Sequence, residues 1–329
     1  DMTIAELVRA AAERQGTRAA ARLMSILADA PHRLPEVYHA AAALADQGSA
    51  LELPRLLLGL TGAPGSRKST LADALVREWR RRHPDRRVGV VAVDPSSPFT
   101  GGAVLGDRVR MTRHATDPMV YVRSMASRGH LGGLALGVKG VVRVMGVVGC
   151  DAVVLETVGV GQSEVEIAGV ADLVVVVLAP GLGDSIQLLK AGLMEVGHLF
   201  VVNKADRPDA EKLHAELVSM LRLADPGGAD GRTYLVSAED GRGVEALTDG
   251  IEALAGRHGD EWQARRRRVI EEEVREAILE QAAGRLRATL ARLPREADAV
   301  AGVLEGRVSV GEAASQLLRE TCRSNHSKP

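Results

Sequence analysis

Aromatic side chains are nearly missing: two Phe, three Tyr and two Trp in 329 residues. So thin a supply argues against the stacked aromatic platforms that hold single-stranded nucleic acid. Cysteine is as scarce. Cys150 and Cys322 are too few and too far apart for a disulfide framework or a metal finger, and a reducing cytosol is the expected compartment. Charge of one sign is lacking too. With 42 Lys and Arg against 43 Asp and Glu, no global field attracts nucleic acid or an anionic membrane, so any polyanion must be bound locally. The longest apolar run, Leu173 to Ala179, falls far short of the ~20 residues that span a bilayer. The opening DMTIAELVRAAAERQ has neither the basic start nor the unbroken apolar stretch of a signal peptide. The expectation is a soluble cytoplasmic chain with no nucleic-acid or membrane partner.

Aliphatics are plentiful, and a hydrophobic content of 46% supports one large or two smaller domains. Residues 1–50 place Ile4, Leu7, Val8, Ala11, then Leu23, Ile26 and Leu27 at helical spacing, which predicts a pair of amphipathic helices capping something larger. Over residues 51–257 the pattern changes to short apolar runs separated by glycine-rich loops and helical stretches. The runs are LLLGLT, VGVVAV, AVVLE, LVVVVLA, LFVVN and TYLVS, too uniformly apolar for exposed antiparallel strands. They predict an α/β fold, a doubly wound and mostly parallel sheet of the P-loop NTPase kind. Residues 258–329 turn densely charged, predicting a long helical arm, a short helix from Val310 to Arg319 and a frayed SNHSKP tail. The arm reads either as a solvated face with i,i+4 pairing or as a dimerisation surface.

TGAPGSRKST follows the first strand and opens a helix, the context a phosphate loop requires. The nucleotide-binding candidates there are Gly62, Ala63, Pro64, Gly65, Ser66, Arg67, Lys68, Ser69 and Thr70. Their backbone N–H groups converge on a phosphate at the positive end of the helix, Lys68 neutralises the outer phosphates, and Ser69 is a magnesium ligand. Arg67 stands where the G-x-x-x-x-G-K-[ST] pattern has its second glycine. Two conformations stay open. A positive φ would make arginine costly by about 1–3 kcal/mol or block the site, whereas a helical backbone would let the side chain point away or meet phosphate.

Asn203-Lys204-Ala205-Asp206 ends a predicted strand, where ligands of doubly wound sheets sit. Asp206 can accept from guanine N1–H and its exocyclic amine, a pattern adenine lacks. Ser237-Ala238, closing another strand, would offer backbone N–H to the guanine oxygen. Asp94 and Glu156 also end strands, positions suited to holding a magnesium ion or its waters, although a loop hydrogen bond would explain either. Gly159 and Gly161 give the following loop freedom to rearrange when the terminal phosphate leaves. Gln162 is a candidate for orienting the attacking water, and no covalent nucleophile is expected.

DPSSPFTGGAVLGDRVRM, SRGHLGGLA, ETVGVGQSE, APGLGDSIQLLKAG and NKAD together resemble the MeaB/ArgK family, the G-protein chaperones of adenosylcobalamin-dependent methylmalonyl-CoA mutase. The resemblance runs over residues 55–245, and an E-T-V-G-V-G-Q switch in place of the generic D-x-x-G is its most specific part. It implies that Asp94, Asp107 and Glu156 join Ser69 around Mg2+, that residues 94–110 and 156–164 are the two switches, and that a loop over 180–190, with Asp184, Gln187 and Lys190, communicates with the mutase. It further implies GTP and GDP as ligands, hydrolysis that is slow without the partner, gating of cofactor delivery, protection of a methylmalonyl-CoA or related acyl-CoA mutase, and a homodimer held by the C-terminal arm. Arg67 and Gly197-His198 depart from the family pattern, and no D-x-H-x-x-G cobalamin motif occurs. Rival readings are a hydrolysis-impaired scaffold, because of Arg67, and a nickel-insertion or protein-targeting GTPase, which should carry a Cys/His cluster or a four-helix targeting domain. A phosphoryl-transferring kinase is the fourth, and NKAD argues against ATP.

Overall fold

A computed structural model describes residues 2–13, 17–30, 33–45, 53–95, 114, 117–127, 133–157, 169–182, 193–225, 227, 229–290 and 296–324. The chain divides into two compact units, residues 1–266 and 267–329.

The first unit opens with three helices, α1 (Ile4–Ala12), α2 (Thr17–Asp29) and α3 (Leu34–Ala45). Thr3 and Glu6 form a reciprocal capping box that starts α1. Two helices were expected here. The third, LPEVYHAAAALA, escapes an aliphatic-periodicity reading because its buried face is carried by Leu34, Val37 and Ala41 amid a run of alanine. The sheet follows: β1 (Leu56–Gly62), β2 (Arg87–Pro95), β3 (Val120–Ser127), β4 (Cys150–Thr157), β5 (Leu173–Leu178), β6 (Leu199–Val202) and β7 (Thr233–Leu235). Its order is β3-β2-β4-β1-β5-β6-β7 and every described pairing is parallel. Six of the seven strands coincide with the apolar runs. The unforeseen one is β3, VYVRSMAS, an edge strand whose Val122 is exposed and whose sequence is interrupted by Arg123 and Ser124.

Helices cover both faces. They are α4 (Lys68–Arg82), α5 (Gly133–Val147), α6 (Ala210–Ala224), α7 (Val244–Arg257) and α8 (Gly259–Leu290). Alternation along the strands divides the core in two. Leu57, Val153, Leu155, Val174 and Val176 join α1–α3, α5 and α6 on one face. Leu58, Leu60, Val154, Val175 and Val177 join Leu71 and Leu75 of α4, Leu247 and Ile251 of α7 and Trp262 of α8 on the other. The N-terminal helices are thus a second storey on one helical layer, with α2 against α5 closely enough that a Cβ on Gly140 would lie 3.2 Å from Leu27.

At the floor of the sheet, Asp172 is 3% exposed; it accepts from Leu57 N–H (2.8 Å) and from Arg266 Nε (3.0 Å) and Nη2 (2.6 Å). Arg266 also donates to Arg55 O (2.8 Å), tying the start of α8 to the sheet. In the second unit, α9 (Glu296–Leu304) is followed by α10 (Val310–Ser324), and in the turn between them Arg307 N–H donates back to Gly302 O (2.9 Å). Ser309 and Glu312 cap α10 reciprocally. Of these two helices only α10 was expected, in shorter form. No described helix is long and apolar enough to cross a membrane.

Candidate nucleotide site

The chain passes from β4 on one side of β1 to β5 on the other, and such a switch point opens a crevice at the strands' carboxyl ends. Register brings the chemistry to that edge. Leu60 of β1 lies beside Glu156 of β4, Gly62 beside Val177, and Val202 beside Leu235.

Gly62 has φ +137°, and a Cβ there would lie 2.0 Å from Val177 O, so the first glycine of the loop is obligatory. Ser66 is fully buried and folds the loop on itself, with N–H (3.2 Å) and Oγ (2.8 Å) both donating to Ala63 O. Lys68 Nζ donates to Gly62 O (2.6 Å) and Ala63 O (3.2 Å), which holds the ammonium over the loop.

Arg67 adopts φ 63°, ψ 46° as the residue before α4. Of the two conformations open from sequence, the left-handed one is found, which costs a non-glycine residue about 1–2 kcal/mol. The side chain does not fold inward. It is 47% exposed and ion-pairs with Glu239, which directly follows Ala238.

Ser69 Oγ donates to Glu156 Oε1 at 2.5 Å, and the two residues are only 5% and 4% exposed. A hydroxyl and a carboxylate buried beside a phosphate loop form an all-oxygen donor pair, which fits magnesium and not a softer metal. Asp94 is placed at the end of β2, opposite Ala126. Gln162, Asp107, Asp184, Gln187, Lys190, Gly159 and Gly161 lie outside the described residues.

The N-K-x-D segment is bonded directly to the phosphate loop. Asn203, 1% exposed, donates through Nδ2 to Ser66 O (2.9 Å) and accepts from Ala238 N–H at Oδ1 (3.1 Å). Lys204 takes a left-handed φ of 62°, Ala205 N–H donates to Val236 O (3.0 Å), and Ser237 Oγ donates to Asp206 Oδ1 (3.4 Å). Burial, with Arg207 and Arg67 adding to it, holds the Lys204 ammonium below its usual pKa. The amides of Ser237 and Ala238, assigned from sequence to the guanine oxygen, donate here to Arg242 O (2.9 Å) and to Asn203. Glu239 was missed because its role rests on a tertiary contact; its only sequence signal is its place after Ser-Ala. His198 is a packed residue: Nδ1 accepts from Val174 N–H (3.1 Å), and burial, reinforced by Arg265 and Arg232, lowers its pKa.

A seven-stranded parallel sheet, a phosphate loop ending in Lys68-Ser69, and an N-K-x-D segment bonded to that loop define a P-loop nucleotide-binding protein of the GTPase class. The model of the methylmalonyl-CoA mutase-associated GTPase family, MeaB, matches residues 27–290, and the chain belongs to that family. A putative GTPase of Pyrococcus abyssi is 43% identical over 271 residues, 80% of this chain and 82% of its own length. The GTPase ArgK of Escherichia coli is 40% identical over 210 residues, 63% of this chain and 60% of its own. Among solved structures, an LAO/AO transport system kinase superposes with a TM-score of 0.62 at 25% identity, covering 96% of this chain and 97% of its own.

Proposed function

We propose that this chain is a Mg2+-dependent, cytoplasmic GTPase that serves a B12-dependent acyl-CoA mutase, gating cofactor loading and protecting the mutase. The observation that carries the nucleotide part is the Ser66–Asn203–Ala238 bridge, which makes phosphate loop and base-reading loops one buried unit. In this reading the amides of residues 62–70 cradle the phosphates, Lys68 exchanges its carbonyl partners for phosphate oxygens, and Asp206 reads guanine with Lys204 beside it. Ser69, Asp94, Asp107 and Glu156 hold the magnesium ion, which would neutralise charge developing between the outer phosphates. Gln162 orients the attacking water. The mutase assignment rests on the family's name. On α8, Ile270, Val274 and Ile278 recur at four-residue spacing and are exposed, which supports an arm that buries this stripe against a second copy.

Titration with fluorescent GDP, with and without Mg2+, followed by GTP turnover with and without a methylmalonyl-CoA mutase, tests the reading. Saturable Mg2+-sensitive binding and turnover raised by the mutase are expected; absence of saturable binding refutes it. Glu156→Gln should weaken the Mg2+ dependence while leaving the fold intact, and an unchanged dependence would remove Glu156 from the ion's shell.

One observation favours a second reading, a hydrolysis-impaired GTPase-like scaffold. Arg67 holds a left-handed backbone where glycine would be unstrained. Arg67→Gly should raise both GTP binding and turnover if the arginine impairs them, and equal values would discard the scaffold.

A further inference from the structure

Two successive residues of the phosphate loop are tied to the two successive residues that close the base-reading loop. Ser66 and Ala238 are joined from beneath through the buried Asn203 amide. Arg67 and Glu239, the next residue on each side, are joined directly at the surface by their ion pair. The inner tie is made of buried groups. The outer one is made of side chains 47% and 61% exposed, so it can open without unfolding anything. Arg67 also lies close enough to Lys204, in the other base-reading loop, to disfavour its charge. The arginine thus faces both loops that flank the base position, and its backbone is held in a conformation that a glycine would take without strain. With its phosphates at residues 62–70 and its base at Asp206, a nucleotide can leave by opening the outer tie while the buried Asn203 tie stays closed.

Resting on the guanine-nucleotide reading above, we propose that the Arg67–Glu239 pair is an electrostatic latch across the nucleotide slot, a positioning device that slows exchange of guanine nucleotide. Arg67 contributes through its charge and reach, and Glu239 is its keeper. The pair lies in solvent, so its effect is modest and falls as salt screens it.

The test uses the full chain, as wild type, Glu239→Gln, Arg67→Gly and the double variant. Each is loaded with fluorescent GDP, and release into excess unlabelled GDP is followed at low and high ionic strength. Glu239→Gln is expected to release GDP about two- to fivefold faster at low salt, the range that an exposed ion pair supports, and the difference is expected to shrink at high salt. The double variant is expected to release no faster than Arg67→Gly, because the cycle isolates the pair from the backbone change. Saturable binding with an unchanged release rate in Glu239→Gln overturns the latch alone. Binding by the two Arg67→Gly chains only, whatever stands at 239, also overturns it and marks Arg67 as a plain obstruction. No saturable binding by any of the four overturns the latch together with the nucleotide reading.

Discussion

Replacing Asn203 with alanine removes two hydrogen bonds at once, to Ser66 O at 2.9 Å and from Ala238 N–H at 3.1 Å. Ser66 and Ala238 are 0% and 4% exposed, so both backbone groups lose their partners where water has poor access. A net hydrogen bond contributes about 1 kcal/mol and a stranded buried group costs about 1–3 kcal/mol, so a loss of about 2–4 kcal/mol is expected. The loss divides between folding and ligand binding. Urea unfolding without nucleotide reads the first part; the GDP dissociation constant reads the second, with about 2 kcal/mol corresponding to roughly 30-fold weaker binding. Asn203→Asp is the sharper variant, because it keeps the acceptor for Ala238 but sets a carboxylate oxygen against Ser66 O. It should be at least as damaging as alanine. If both variants leave unfolding and GDP affinity within about 0.5 kcal/mol of wild type, the coupling of the two loops is not energetic and the reasoning fails.

Asp172→Asn leaves the Arg266 guanidinium without its buried counter-charge and should lower the urea-derived stability by about 3 kcal/mol, whereas a change below about 1 kcal/mol would mean that solvent already screens the pair. Gly62→Ala should abolish folding or nucleotide binding outright, since its Cβ would meet Val177 O at 2.0 Å; a soluble variant with normal GDP affinity would contradict the register of β1 and β5. The lowered pKa of His198 means that the unfolded chain binds more protons there, so stability should fall as pH drops below about 6.5. His198→Asn, which keeps an acceptor for Val174 N–H, should flatten that slope in urea midpoints measured between pH 5 and 7.5, and an unflattened slope would assign the proton uptake elsewhere.

Most of the sheet is legible because parallel strands covered on both faces must be apolar throughout, as LVVVVL in β5 is. β3 is illegible for the converse reason: an edge strand tolerates Arg123 and Ser124, and its run dissolves into polar residues. The phosphate loop and NKAD are legible because their chemistry is local. What Arg67 does is not, since a string of letters leaves its φ open, and Glu239 lies 172 positions further on. The bond from Asn203 to Ser66 spans 137 residues and follows only from the strand order.

The three N-terminal helices have a practical consequence. Leu27 seats against Gly140, and Leu7, Leu23 and Val37 share one interior with Val138, Val141 and Met145. A fragment trimmed to begin at the first strand would therefore bare one side of α5 and should clump rather than fold. The minimal working piece of this molecule has to carry its front end with it.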